Sequence, residues 1–264
     1  MNAALLPNDV RFMQVLTRLL LWLFALLFTW AVLLWLIRLP AFSLRGITVT
    51  GDTTYNNAVT VRANVAPRLS GNFFTLDLAR AREVFESLPW VQHAVVQREF
   101  PNRLRVVLRE QRPAAHWGDE QDARMVNAEG AVFDASAGAD DHDALPRLRG
   151  PSTEVSAQML RMHQQLQQAF AVLQLSVDEL SLSERGSWRA VLGSGAVIEL
   201  GRGSDEQLLS RAQRFVDTLT QVAGQYGRRA QLLESADLRH AHGYALRLRG
   251  VSTLGDNPNP APKP

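Results

Sequence analysis

Residues 91–110 read VQHAVVQREFPNRLRVVLRE, a pattern that predicts two antiparallel strands joined by a tight turn. The strands are expected at Val91–Phe100 and Arg103–Glu110, on either side of Pro101-Asn102. Along the second strand, apolar side chains alternate with arginines. Because successive side chains in a strand point to opposite faces, this alternation indicates a sheet with one buried face.

Three further elements are predicted upstream of this hairpin. Residues 42–49 predict a strand rich in β-branched side chains, and Asn56–Val65 fits a helix. A second helix is expected over Leu78–Leu88, with Asp77 as its N-cap. The predicted order of elements is therefore β-α-α-β-β.

A long apolar segment precedes these elements. Leu19–Ile37 contains no charge, no proline and no glycine, and at about 1.5 Å per residue it spans roughly 28 Å, close to the thickness of a bilayer core. This predicts a transmembrane helix at 19–38 after a cytoplasmic tail at 1–18. A cleaved signal peptide is the alternative, but its apolar region runs only about 7 to 15 residues. Since no second apolar segment returns the chain, we expect Leu39–Pro264 to lie outside the cytoplasmic membrane.

The downstream half predicts a second domain, a mostly antiparallel sheet with two long helices. One helix is expected at Val155–Leu173, and the other begins at Ser204, where Ser204 and Gln207 form a capping box. Residues 251–264 predict a disordered tail. The fold class is α+β, with a first outer domain at 42–112 and a β domain at 113–250. The predicted strands of the β domain are Arg124–Asn127, Ala131–Phe133, Leu180–Ser183, Trp188–Leu192, Val197–Leu200, Leu232–Asp237 and Gly243–Arg249.

Composition and motifs argue against several functions. The net charge is only +2 and the basic residues are scattered, which does not predict a nucleic-acid interface. The chain has no cysteine, and the pair His240 and His242 lacks a third metal ligand of recognisable spacing. Gly193-Ser194-Gly195 lacks the frame of a hydrolase nucleophile and fits a hairpin turn. We therefore expect neither an enzyme nor a protein with a metal or cofactor.

The last predicted strand offers a mechanism of recognition instead. Tyr244, Leu246 and Leu248 alternate along Gly243–Arg249. If this strand is the last of its sheet, its unpaired peptide groups can accept a strand from another chain. The alternative is that the strand is internal, or that its charged residues only protect the edge.

The order of elements resembles that of a POTRA module, and the motifs around it are similar to those of the FtsQ/DivIB family of bacterial cell-division proteins. Outer-membrane proteins with POTRA modules also carry a barrel, for which this chain has no long series of alternating strands. The motifs that carry the resemblance, in order, are FSLRGITVTG at 42–51, PNRLRV at 101–106, EQRPAAHW at 110–117, LPRLRGP at 145–151, SWR at 187–189, LGR at 200–202, RAQRF at 211–215 and ADLR at 236–239.

The resemblance implies partners and positions. Members of this family bind FtsB, and FtsL with it, through the last strand and nearby basic residues of the second domain. Their POTRA part serves recruitment of the protein to the division site through other divisome membrane proteins. The family commonly has a tyrosine after Asp-Leu-Arg where this chain has His240, although Tyr244 could supply the aromatic ring. The implied partner-binding residues are Arg185, Arg239, His240, Gly243, Tyr244, Leu246 and Leu248, and the recruitment residues are Gln92, Val96 and Arg98.

The resemblance also implies a single-pass type II protein of the bacterial inner membrane, located at the division septum. A second function remains open from sequence. The chain could be an envelope chaperone or secretion module that holds extended client segments on its POTRA sheet.

Overall fold

The computed structural model describes residues 8–39, 42–56, 58–135, 142–240 and 243–251. His242, most of the predicted tail and part of the acidic loop after Ala135 lie outside these residues. The chain divides into two compact units, Met1–Glu110 and Gln111–Pro264. Each unit is described by itself below.

The first unit begins with one long helix. Helix α1 runs from Asn8 to Ile37, and its segment Phe12–Ile37 is long and apolar enough to cross a membrane, with a mean hydropathy of 2.5. Its apolar side chains are exposed within the described part of the chain. The predicted apolar helix is confirmed, and it starts earlier than Leu19, inside the segment that was predicted as a tail.

The first unit continues with two short helices and a three-stranded sheet, which confirms the order β-α-α-β-β. In the sheet, the strand order is β1-β3-β2, with β1 parallel and β2 antiparallel to β3. The hairpin β2–β3 therefore has β2 as an outer strand. The elements are β1 (Gly46–Gly51), α2 (Ala58–Val65), α3 (Leu78–Glu86), β2 (Val91–Glu99) and β3 (Arg103–Glu110).

Side chains form hydrogen bonds with the main chain at both ends of helix α3. The carboxylate of Asp77 accepts hydrogen bonds from the N–H groups of Ala79 and Arg80, which confirms the predicted N-cap. The helix ends at Glu86 rather than at Leu88, because the hydroxyl of Ser87 donates to the carbonyl of Val84 and closes the last turn.

A buried carboxylate ties the end of β3 to the loop before α2. Glu110 accepts hydrogen bonds from the N–H groups of Thr54 at 2.9 Å, Tyr55 at 3.0 Å and Asn56 at 2.8 Å. A buried charge is tolerated only when donors surround it. Glu110 therefore holds this loop in one conformation.

The second unit is built on a nine-stranded sheet with the strand order β12-β11-β10-β9-β8-β7-β4-β5-β6. The pairs β10–β11, β4–β7 and β7–β8 are parallel, and the other neighbouring pairs are antiparallel. Its elements are β4 (Pro113–Trp117), β5 (Arg124–Asn127), β6 (Val132–Asp134), β7 (Arg147–Arg149), α4 (Ser156–Ala171), β8 (Val177–Leu182), β9 (Trp188–Leu192), β10 (Val197–Gly201), α5 (Asp205–Gln225), β11 (Leu233–Asp237) and β12 (Ala245–Leu248).

Helices α4 and α5 cover one face of this sheet. Phe170 of α4 and Phe215 of α5 are buried, with ring centroids 6.3 Å apart. The apolar side chains that recur along both helices therefore form their core-facing sides. Across the sheet, one row of facing side chains is buried beneath the helices, and the neighbouring row is polar and lies on the open face. The buried row is Leu180, Ala190, Ile198 and Ala236, and the polar row is Ser181, Arg189, Glu199 and Asp237.

Two side chains of α4 fix the start of β8, where the strand has an irregular register. The carbonyl of Val177 lies 2.7 Å from Nε2 of His163, and its N–H donates to the amide oxygen of Gln167 at 2.7 Å. Burial lowers the pKa of His163 below its ordinary value. Because a carbonyl oxygen only accepts, Nε2 of His163 donates to Val177, and helix α4 thereby supplies both hydrogen-bond partners of this peptide unit.

The start of α5 confirms the predicted capping box. The hydroxyl of Ser204 accepts from the N–H of Gln207, and the side chain of Gln207 accepts from the N–H of Ser204. Asp205 and Glu206 follow directly. Their negative charges favour the positive end of the helix and disfavour an anionic ligand there.

Candidate partner-binding site

Strand β12 is an outer strand of the nine-stranded sheet. Within the described ranges it pairs with β11 and with no other strand. Arg249, just after the strand, donates its N–H to the carbonyl of Leu232 on the β11 side. Hydrogen-bonding direction alternates along an antiparallel strand, so Ala245 and Arg247 also face β11. The peptide groups of Leu246 and Leu248 therefore point away from β11, toward the open edge.

The alternate side chains of this segment pack on the core of the second unit. Leu248 is buried, and Leu246 and Tyr244 are half-buried against the core cluster. The ring of Tyr244 meets that of Phe215 edge to face at 4.9 Å, and its hydroxyl lies 2.7 Å from Oγ1 of Thr218. The aromatic ring that was expected to meet a partner is therefore already engaged with helix α5.

The opposite side of β12 carries charge. Arg247 is ion-paired with Glu234 at 2.9 Å, and Arg249 lies 3.9 Å from the same carboxylate. The register of β11 shifts between Leu233 and Ser235, which brings Glu234 opposite these arginines. A strand added at the edge would thus run beside an apolar row on the helix side and a charged row on the open face.

A charged corner lies at the end of β11, next to the beginning of β12. Arg239 donates from Nε to the carboxylate of Asp237 at 2.8 Å, and its N–H donates to the same carboxylate at 3.0 Å. This hydrogen bonding by Arg239 lowers the pKa of Asp237 to about 2. Gly201 makes room for the arginine, because a Cβ atom there would lie 2.8 Å from Cγ of Arg239.

The sheet brings Arg185 to the same end. Arg185 is exposed in the turn between β8 and β9, and Trp188 at the start of β9 lies opposite Gly201 at the end of β10. The exposed residues His240 and Gly243 follow the corner on the way into β12. The predicted partner-binding residues therefore gather along β12 and at this end of the sheet.

Sequence reasoning missed two residues of this region. Gly201 appears in the sequence analysis only as part of the LGR motif, and its close contact with Arg239 depends on the pairing of β10 with β11. Glu234 carries no motif signal. Its position opposite Arg247 follows from the irregular register of β11, which the sequence does not reveal.

The predicted recruitment residues lie on β2, the outer strand of the first unit, where Gln92 and Val96 are half-buried. The guanidinium of Arg98 donates to the carbonyls of Phe73 at 2.6 Å and Leu76 at 2.7 Å, so this side chain fixes a loop of its own domain.

The edge of β2 is also partly occupied. The N–H of Ala94 donates to the carboxylate of Glu86 at 3.2 Å, and Glu86 also pairs with Arg82 and with His93. Although burial raises the pKa of Glu86, the hydrogen bond from Ala94 and the contacts with Arg82 and His93 leave it lower than usual. One outward N–H group of the β2 edge is therefore already satisfied within the domain.

Among the described residues, no group of three His, Asp or Glu side chains is placed to hold a metal ion. A cleft on the open face is lined in part by Arg189 and Glu199, which form an ion pair at 2.6 Å.

Comparison with known proteins gives consistent matches over both units. Residues 42–111 match the family model described as POTRA domain, FtsQ-type, and residues 115–239 match the model described as Cell division protein FtsQ/DivIB, C-terminal. A protein of Thiomonas arsenitoxydans named Cell division protein FtsQ is 38% identical over 263 residues, covering 98% of this chain and 95% of the relative. Proteins of the same name from Burkholderia pseudomallei and Bordetella pertussis are 39% and 37% identical over 94% and 91% of this chain, and over 97% and 92% of their own lengths.

Proposed function

The chain belongs to the FtsQ/DivIB family of cell division proteins, and from that premise we propose that it binds FtsB, and FtsL with it, by strand addition at β12. In this role the protein is a non-enzymatic scaffold that links division proteins to one another. The general role of a scaffold in cell division follows from membership of this family.

One observation carries the proposal. Strand β12 has a single neighbour among the described strands, and the peptide groups of Leu246 and Leu248 point away from that neighbour. Each main-chain hydrogen bond formed with an incoming strand contributes about 0.5 to 1.5 kcal/mol net. The carbonyl of Leu248 already accepts from the N–H of Val251 at 3.2 Å, so the two residues present two donors and the acceptor of Leu246. These three groups can set the register of a short added segment.

The charged corner supports selectivity for the partner. Arg239 is held in place by Asp237, while Arg185, His240 and Gly243 are exposed at the same end of the sheet. An added strand that continues past β12 would meet these groups. Exposed arginines steer the encounter and fix orientation more than they add affinity.

The proposal includes the location of the protein. Helix α1 anchors it as a single-pass type II protein in the inner membrane, with 42–112 and 113–250 outside the cytoplasm as the POTRA and β domains, at the division septum. The apolar segment Phe12–Ile37 supports the anchor. The recruitment role of Gln92 and Val96 is retained as part of the proposal, whereas Arg98 contributes by holding the loop at Phe73–Leu76.

The chaperone alternative places extended clients on the POTRA sheet. Glu86 already occupies the N–H of Ala94 at the outer edge of that sheet, so less of the β2 edge is available for an added strand. Co-purification separates the two functions. A scaffold recovers a fixed ratio of single-pass division proteins, whereas a chaperone recovers varied unfolded clients.

A matched pair of variants tests strand addition. Leu246→Pro removes the outward N–H and places a ring at the edge, whereas Leu246→Ala loses the same side-chain packing but keeps the N–H. We expect the proline variant of the full chain to bind purified FtsB at least about tenfold more weakly than the alanine variant, because a hydrogen bond is lost and the added strand is displaced.

Binding is measured by titration in detergent, with circular dichroism to verify that both variants are folded. Equal affinities for the two folded variants would show that the partner does not pair with the main chain at this position.

A further inference from the structure

The end of the first unit that lies next to the anchor is held to α1 by direct contacts. The side-chain amide of Asn72 donates to the carbonyl of Ile37, the last residue of α1, at 2.6 Å. The N–H of Phe73 donates to the carbonyl of Phe42, and the N–H of Phe42 donates to that of Leu39. The loop around Asn72 therefore lies at the level where the apolar helix ends.

Aromatic side chains cluster at this end, and two of them are exposed. The rings of Phe42 and Phe74 meet edge to face at 4.9 Å, and Phe73 contacts both Phe74 at 5.2 Å and Phe100 at 6.2 Å. Phe73 is buried, but Phe74 is 47% exposed and Phe100, in the β2–β3 turn, is 77% exposed. Two large rings thus face outward beside the end of the anchor.

Positive charge surrounds these rings. Arg38 and Arg45 follow the anchor and are exposed, and Arg103 lies opposite Gly46 at the start of β1. Among the described residues, none of these three arginines forms an ion pair. The nearby acids are engaged, since Glu99 pairs with Arg105 at 2.7 Å and Asp77 caps helix α3.

We infer that this end of the POTRA domain rests on the bilayer into which α1 inserts, with Phe74 and Phe100 entering the headgroup region and Arg38, Arg45 and Arg103 facing anionic phospholipid. We name these five residues the membrane-facing patch. Aromatic rings favour the boundary between headgroups and acyl chains, and arginines near the surface are attracted to anionic lipid.

The bilayer is the occupant because the patch is continuous with the anchor. Ile37 ends the segment that is apolar enough to span a membrane, and Asn72 contacts Ile37 directly. The residues next to Asn72 therefore lie at the height of the headgroups when α1 is inserted. The inference rests on the anchoring part of the proposed function and is independent of partner binding at β12.

Site-directed spin labelling of the full chain in vesicles of phosphatidylcholine and phosphatidylglycerol tests the inference. Because the chain has no cysteine, Phe74→Cys, Phe100→Cys, Phe28→Cys and Asp52→Cys each introduce a unique thiol. Phe28 lies within α1, and Asp52 follows β1 at the opposite end of the POTRA sheet. The accessibility of each nitroxide to oxygen, relative to a water-soluble nickel chelate, reports its depth.

We expect labels at 74 and 100 to shift from the value of the label at 52 toward that of the label at 28. In the Phe100→Cys background, Phe74→Ser should reverse part of that shift. The matched control Val95→Ser should not, because Val95 is also exposed, at 42%, but lies in the middle of β2.

Labels at 74 and 100 that behave like the label at 52, while the label at 28 remains deep, would overturn the inference and leave the anchor intact. Exclusion of both reagents at 74 and 100 would also overturn it, because another protein copy would then cover the patch. A water-exposed label at 28 would refute the anchor itself, and the inference with it.

Discussion

Asp237 and Arg239 illustrate how single side chains shape the candidate site. The carboxylate accepts hydrogen bonds from both the side chain and the N–H of Arg239, next to a glycine that leaves space for the guanidinium. This arrangement orients an otherwise long and mobile side chain at the end of the sheet. The orientation reduces the conformational entropy that a partner would have to remove on binding.

The first prediction concerns the pKa of Asp237. The hydrogen bond from Arg239 holds it at about 2, below the ordinary value of 3.8. Because the folded-state pKa is depressed, the stabilising contribution is complete above the ordinary pKa and is lost as the pH falls through about 2. We expect Arg239→Gln to raise the pKa of Asp237 toward 3.8.

Carbon-detected NMR titration of the Asp237 carboxyl provides the measurement. Arg247→Gln is the matched control, because Arg247 pairs with Glu234 and not with Asp237. A titration of Asp237 that is the same in the wild type and in Arg239→Gln would contradict the assigned hydrogen bond.

The contacts of individual side chains could be predicted only in part from the sequence. Alternation along 243–249 predicted that Tyr244, Leu246 and Leu248 share a face, which the structure confirms. It could not indicate that this face meets α5, because that depends on the packing of Phe215 and Thr218 from another element. Arg98 is similar, since its acceptors lie in a loop distant in sequence.

At the scale of elements, Glu110 links three parts of the POTRA fold. Glu110 is the last residue of β3 and accepts hydrogen bonds from residues 54–56 before α2. It is also the last residue of the first unit. A carboxylate that accepts several main-chain N–H groups contributes more than an ordinary surface charge, because its removal leaves buried donors without a partner.

The second prediction is therefore that Glu110→Ala loosens this loop. We expect the amides of Thr54 and Asn56 to exchange with solvent roughly 30-fold to 100-fold faster, which corresponds to about 2 to 3 kcal/mol of lost hydrogen bonding. Glu110→Gln should have a smaller effect, because it keeps one acceptor oxygen.

Hydrogen exchange followed by mass spectrometry or NMR measures the change. Glu99→Ala is the control, because Glu99 pairs only with the exposed Arg105 among the described contacts. Unchanged exchange at residues 54–56 in Glu110→Ala would show that the carboxylate does not fix the loop.

Elements with a strong local signal were predicted well. The stripes of α4 and α5, the caps at Asp77 and Ser204, and the β2–β3 hairpin all follow from residues close together in sequence. Strand order was not predictable in the same way. The parallel pairing of β1 with β3, or of β10 with β11, joins segments separated by helices and depends on long-range packing.

At the scale of the whole molecule, the chain combines one apolar helix with two sheets, in which β2 and β12 are each one of the two outer strands. On β2, the carboxylate of Glu86 occupies the outward N–H of Ala94. On β12, the described residues leave the outward N–H groups of Leu246 and Leu248 open, whereas the carbonyl of Leu248 accepts from the N–H of Val251. The open N–H groups of β12, beside the exposed Arg239 and His240, are the physical reason for proposing FtsB binding at the second unit.

Residue-resolved amide exchange of the full chain, with and without purified FtsB, tests that assignment most directly. Ala245 and Arg247 already face β11, so their amides should change little when the partner binds. The amides of Leu246 and Leu248 should become at least about tenfold more protected, because the added strand accepts their hydrogen bonds. Bound FtsB that leaves the exchange of Leu246 and Leu248 unchanged would contradict strand addition at β12.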